Sequence, residues 1–301
     1  MGGGSYCYST ASVRRNTTYS TMSTTQIFSQ HCLNEAMNIK GKIRECCENS
    51  EHPDTFPIIV ALDVTGSMGY IPARLIKSDF PEMVKKIIDG GVVCPQICFI
   101  AIGDHECDST PFQAGQFEAS DELMEKWLTS TYLEGGGGGN GGESYGLAWY
   151  FAARHVVSDA IKRGKKGLLI TIGDEPVLPN YPKSTIKGLF GDGCETDMSA
   201  AQMLSEAKEN WEVYHVNVND YTGRSPRVQS GWTELLGDHV INVPDGENSN
   251  ISDVIAALAV ENYKKGGVTG TGTTTVDPQP EVLTGGKPDM IGTKTGDAEV
   301  L

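Results

Sequence analysis

Residues 56–67 read Phe56-Pro-Ile-Ile-Val-Ala-Leu62-Asp63-Val-Thr65-Gly-Ser67, and the change of character at residue 63 decides the fold. An uncharged, β-branched run of this length is too short for a buried helix and has the continuous apolar character of a strand covered on both faces. Strands of that kind occur in parallel sheets whose crossover helices pack on either side. The polar turn that follows then lies at the carboxyl end of the sheet, where such folds hold their ligands.

Working outward, Ile97-Cys-Phe-Ile-Ala-Ile102 and Leu168-Leu-Ile-Thr-Ile172 have the same continuous character and read as central strands. Trp211-Glu-Val-Tyr-His-Val-Asn-Val218 and His239-Val-Ile-Asn-Val243 alternate more and belong nearer an edge, and Phe112-Gln-Ala-Gly-Gln-Phe117 reads as a short antiparallel strand. Helical periodicity fills the intervals at 72–89, 120–129, 144–163, 198–209, 229–236 and 251–264, with Asp197 or Ser199 as a helix start. The expected architecture is therefore α/β: a doubly wound, mostly parallel six-stranded sheet with helices on both faces and one antiparallel edge strand.

The flanks differ. Residues 1–25 are Gly, Ser, Thr and Tyr with two arginines and read as a flexible arm, residues 26–54 as an extension packing on the domain, 55–264 as the domain, and 265–301 as a disordered Gly-, Thr- and Pro-rich tail. About 220 residues in the core region is within the range of one domain.

Composition narrows the function. The chain has 301 residues, 39% hydrophobic and 21% charged, with a formal net charge of -15. That charge disfavours nucleic acid and anionic membrane, both of which are bound largely through Lys and Arg. No apolar run approaches the roughly 18 residues of a membrane span, and Met1-Gly-Gly-Gly-Ser-Tyr6 has no basic region followed by an apolar stretch. Eight cysteines are scattered, with Cys46 and Cys47 adjacent, as expected for reduced thiols. The expected location is cytoplasmic, or the host cytoplasm for a viral protein.

Three turns after central strands carry the chemistry: Asp63-Val-Thr65-Gly-Ser67, Gly103-Asp104-His105-Glu106-Cys107-Asp108, and Gly173-Asp174-Glu175. A fourth segment, Glu134-Gly-Gly-Gly-Gly-Gly-Asn140-Gly-Gly-Glu143-Ser144, precedes a helix. Oxygen donors with few full charges suit Mg²⁺ or Mn²⁺, which complete an octahedron with water. The plain alternative is a helix start, with Thr65 or Ser67 as cap and Asp63 closing the strand. The second turn's counterpart is a simple polar turn at Asp104, and the glycine run's is backbone freedom. His105 with Cys107, and Cys94 with Cys98, lack the paired spacing of a zinc site.

These residues resemble the von Willebrand factor type A domain and its metal-ion-dependent adhesion site, in the version found in intracellular bacterial and phage proteins. Asp63 and Ser67 match the family's Asp-x-Ser-x-Ser directly, Thr65 stands where serine is usual, and Asp174 matches the later aspartate. The glycine loop lacks the family's threonine, so the resemblance leaves Asn140, Glu143 or Ser144 to serve, with Glu143 the expected ligand. Asp104 is expected to reach the metal through water. The resemblance implies a protein-binding module whose metal accepts a carboxylate or other oxygen from its partner, and an AAA-class ATPase as a candidate partner. Three carboxylates at one metal weaken its pull on an acidic ligand.

The rival is a haloacid-dehalogenase-like phosphatase, in which Asp63 attacks phosphorus beside Mg²⁺ and Asp174. Ser67-Met68 and the absence of a suitably placed lysine argue against it. A scaffold that has lost its metal is the third reading. A phosphate-binding loop is excluded because Glu143-Ser144, not Lys-Ser or Lys-Thr, follows the glycines.

Overall fold

The run at residue 56 becomes strand β1, Thr55–Asp63, in the computed structural model, which describes residues 4–136, 139–246 and 249–266. Five further strands join it: β2 Cys94–Ile102, β3 Phe112–Ala114, β4 Gly167–Gly173, β5 Trp211–Asn219 and β6 Val240–Pro244. Their order is β6-β5-β4-β1-β2-β3, parallel throughout except that β3 runs antiparallel to β2 at one edge. All six expected strands are present, and the mostly parallel α/β architecture is the one expected.

Alternation along the strands divides the core. Ile58, Val60 and Leu62 face one side with Leu168, Ile170 and Ile172, whereas Ile59 and Ala61 face the other with Leu169, Cys98 and Ile100. The first side is covered by helices Phe80–Asp89 and Ile251–Lys265, and the second by Gly146–Arg154, Ala200–Asn210 and Pro226–Leu236. Trp149 and Tyr150 are fully buried in the second. Because neither face of β1 meets solvent, its sequence never needed to alternate.

Register places the polar turns together. Asp63 is level with Ile102, Leu62 with Ile172, and Gly173 with Asn217, so the residues after β1, β2, β4 and β5 emerge at one edge.

Four local expectations change. The expected helix 144–163 breaks at His155: residues Val156–Ser158 instead pair with Arg44–Cys46 in a separate two-stranded ladder, and Arg44 N–H donates to the His155 carbonyl at 2.8 Å. Two adjacent valines suit that pleated path better than a helix. Strand β3 stops at Ala114; beyond it Gly115 N–H still donates to Phe99 O at 2.9 Å, and Glu118 meets Ile97 in an isolated antiparallel bridge. Lys183–Phe190 is a helix the periodicity did not reveal. Finally, the expected arm contains helix α1, Tyr8–Thr17, tied down by ion pairs from Arg14 to Asp121 and Glu125.

The chain divides into units 1–270 and 271–301. The second unit, and with it the expected tail from 267 onward, lies outside the described residues. Lys265 and Gly266 close the last helix. Among the described residues, no helix is long and apolar enough to cross a membrane.

Candidate functional site

The turn after β1 is shaped around a single carboxylate. Asp63 is fully buried, and its Oδ1 accepts hydrogen bonds from Thr65 N–H at 2.9 Å and from the Thr65 hydroxyl at 2.6 Å. Its Oδ2 accepts one from the Tyr145 hydroxyl at 2.8 Å. The helix that follows starts at Tyr70 with Gly69 as its N-cap and no side-chain cap. Thr65 and Ser67 are thus not helix caps; their hydroxyls turn toward acids, Ser67 Oγ donating to Asp174 Oδ1 at 3.2 Å. A hydroxyl that gives its proton to a carboxylate keeps its lone pairs available for a cation.

The glycine loop lies over this turn, with Gly66 N–H donating to the Gly136 carbonyl at 2.7 Å. Its three candidate side chains have different fates. Asn140 Nδ2 donates to Glu106 Oε2 at 2.9 Å. Ser144 Oγ accepts from His105 N–H at 2.8 Å and pairs with His105 Nδ1 at 2.8 Å. Glu143 is pinned by its backbone, N–H to Pro176 O at 2.8 Å and O to Leu178 N–H at 2.9 Å, while its buried Oε2 has no partner among the described residues. Only Glu143 of the three brings a buried, uncommitted oxygen.

Asp174 and Asp104 share that condition. Both are fully buried, and each has one oxygen engaged, Asp104 Oδ1 by Glu106 N–H at 2.8 Å, and one, Oδ2, with no partner. A buried carboxylate oxygen without a donor is costly, on the order of 1–3 kcal/mol for the lost bond alone. Burial raises the pKa of Asp63, Asp174 and Glu143 above the ordinary carboxylate range. Repulsion from Asp63 adds to this at Asp174 and Glu143; Asp220 contributes further at the former and Asp104 at the latter.

Tyr145 escaped the sequence reading. It fills the space a side chain at 173 would need, since a Cβ on Gly173 would lie 1.8 Å from its hydroxyl oxygen. Its only sequence signal is adjacency to Glu143; the contact with Asp63 spans 82 residues. Behind it, His215 stacks on Trp232 with centroids 3.5 Å apart, and burial drives its pKa well below the ordinary histidine value. His155 bridges Lys42 O and Asp192 and contributes nothing to this edge.

Among the described residues, no three Asp, Glu, His or Cys side chains converge to chelate an ion by themselves. A cation at this edge would therefore draw on the Thr65 and Ser67 hydroxyls and on water. The orphaned oxygens of Asp174 and Glu143 fit such a hard, oxygen-only set. All eight cysteines are free, and Cys98 is buried inside β2, as a structural zinc site could not use it.

No family model and no curated protein sequence matches the chain. Solved structures with a similar path include the open conformation of the pilus adhesin SpaC from Lactobacillus rhamnosus GG, 12% identical, TM-score 0.47, covering 75% of this chain and 31% of that one. The vWF domain of the type V pili tip protein Mfa5 from Porphyromonas gingivalis is 10% identical with TM-score 0.45, covering 73% of this chain and 98% of that one. A von Willebrand factor type A structure from Catenulispora acidiphila is 11% identical with TM-score 0.37, covering 69% and 42%. At these values neither residues nor functions carry across.

Proposed function

We propose that the chain is a protein-interaction module whose docking edge is organised by Mg²⁺ or Mn²⁺. Thr65, Ser67, Asp174 and Glu143 would hold the ion, with Asp63 orienting the two hydroxyl turns from behind and Asp104 acting through water. The ion would supply a fixed positive centre that neutralises the buried acids and orders the loops a partner meets. The observation that supports this best is the pair of buried oxygens, Asp174 Oδ2 and Glu143 Oε2, that have no donor among the described residues.

Asp63 as a phosphatase nucleophile is disfavoured, because both its oxygens are engaged and the carboxylate is fully buried. An attacking oxygen needs a path to phosphorus.

The test is thermal unfolding of chelator-treated protein with and without added metal. A ligand at 100 times its Kd stabilises by about 2.7 kcal/mol, roughly 5–10 °C for a domain of this size. Asp174→Asn should remove the rise while leaving the metal-free protein folded. If millimolar Mg²⁺ and Mn²⁺ both leave the wild-type midpoint unmoved, the metal reading fails.

A further inference from the structure

Building on the metal-edge reading, we propose that the partner presents a basic segment, a Lys or Arg side chain seated on Tyr221 and among the surrounding carboxylates, rather than a carboxylate for the metal. Three acids, Asp63, Glu143 and Asp174, already outweigh the two charges of a divalent ion by one. Asp104, Glu106, Asp108, Glu175 and Asp220 follow on the same turns. The nearby cations offset only part of this charge: Arg224, whose Nε donates to Asp220 O at 2.6 Å, and Arg227, whose Nη2 donates to Gly141 O at 2.9 Å, leave the acids in excess. An incoming carboxylate would add charge to an edge that is negative with its metal in place, whereas an ammonium or guanidinium relieves it.

Tyr221 supplies the seat. It is 92% exposed, far more than any other large apolar side chain among the described residues. A single exposed tyrosine is ordinarily unremarked, but this one stands on a turn braced from both sides. Asp220 N–H donates to Val218 O at 2.9 Å and Gly223 N–H to Asp220 Oδ1 at 2.7 Å. The Asn217 and Gln229 amides both donate to Gly223 O, at 2.9 and 2.7 Å. Gly223 has no alternative, since a Cβ there would lie 1.9 Å from Val218 O. The braced backbone has already lost the turn entropy that binding would otherwise cost, and the face of an aromatic ring attracts cations. The braced turn also belongs to the metal edge, because it follows β5, whose Asn217 is level with Gly173, the residue before Asp174.

The experiment uses the full chain in 1 mM Mg²⁺ and 150 mM salt, with fluorescence anisotropy of two labelled nine-residue probes, one of alternating Lys and Gly and one of alternating Glu and Gly. The Lys probe should bind, and Tyr221→Ala should weaken it at least tenfold. Glu261→Gln, on the helix end near the opposite edge, should change it less than twofold. Binding of the Glu probe alone overturns the proposal, as does equal weakening by Tyr221→Ala and Glu261→Gln, which would mean diffuse attraction to an acidic protein. Thermal unfolding of the same samples separates the two readings. A metal-induced rise without Lys-probe binding overturns the basic partner alone. Lys-probe binding that survives chelation, with Tyr221 dependence and no metal-induced rise, removes the metal and supports the basic partner.

Discussion

Two groups of buried acids are treated oppositely, while a lone third acid, Glu118, stands apart with Oε1 accepting from Trp127 Nε1 and Oε2 unpartnered. Beneath helix α1, Asp121 and Glu125 are 5% and 3% exposed, and both are fully served: Arg14 bridges them, Thr10 Oγ1 donates to Asp121 at 2.7 Å, and Cys7 N–H donates to Asp121 at 3.2 Å. At the carboxyl edge of the sheet, Asp104, Glu143 and Asp174 are equally buried, yet each retains an oxygen without a partner. Buried charge normally comes paired, because desolvation is otherwise uncompensated. The first group is what burial looks like when the chain supplies its own cation; the second is what it looks like when the cation comes from outside. The difference, more than the motif itself, is what marks the edge as a site.

The largest expected effect breaks the first group. Arg14→Ala leaves two buried carboxylates facing each other, and removing one partner of such a network costs about 3 kcal/mol, the low end of the range because Arg14 itself is 30% exposed. Urea unfolding should show that loss while the response to Mg²⁺ persists. A loss below about 0.5 kcal/mol would mean that helix α1 is not held by this network, and the contrast between the two groups would collapse.

A smaller effect, with opposite sign, sharpens the second group. Glu143→Gln removes an ionisable group that the folded state keeps from ionising, so the metal-free variant should be more stable than wild type by about 1 kcal/mol at pH 7. The sign follows from the raised pKa, caused first by burial and then by Asp63 and Asp104. A carboxyl whose folded value lies above its unfolded value of 4.5 weakens folding above that pH, and the penalty fades as pH falls toward it. The two proteins should therefore converge in stability between pH 7 and pH 4.5, and the variant's metal response should be lost or much reduced. A variant less stable than wild type in chelator would show that Glu143 has a partner within the fold.

What was legible in the sequence follows the same division between local and distant causes. The three central strands were readable because burial on both faces writes itself as an uninterrupted apolar run, and the outer ones from their alternation and short length. The turns were readable because Asp63 and Asp174 directly follow two of those runs. Helix α1 was not, because Tyr8–Thr17 is polar and its hold on the domain comes from Asp121 and Glu125, more than 100 residues away. Lys183–Phe190 was missed because Ser184, Thr185 and Gly188 dilute its helix propensity, leaving only Ile186 and Phe190 as an i, i+4 apolar pair. Tyr145 was missed because nothing in local spacing announces a hydroxyl that meets Asp63 across the sheet edge.

The smallest effect tests the loop that spacing left open. Asn140, Glu143 and Ser144 all followed the glycines closely enough to stand in for a threonine, and only their hydrogen bonds distinguish them. The Asn140 amide is exposed and donates to Glu106 Oε2, an interaction that water replaces readily. Asn140→Ala should change stability by less than about 0.5 kcal/mol, as surface substitutions do, and should leave the metal-induced rise in unfolding temperature unchanged. Loss of that rise would place Asn140 at the ion in the metal-bound state, with the loop shifted from the position in which Gly136 O meets Gly66 N–H. Glu143 would then no longer be the loop's sole ligand to the ion.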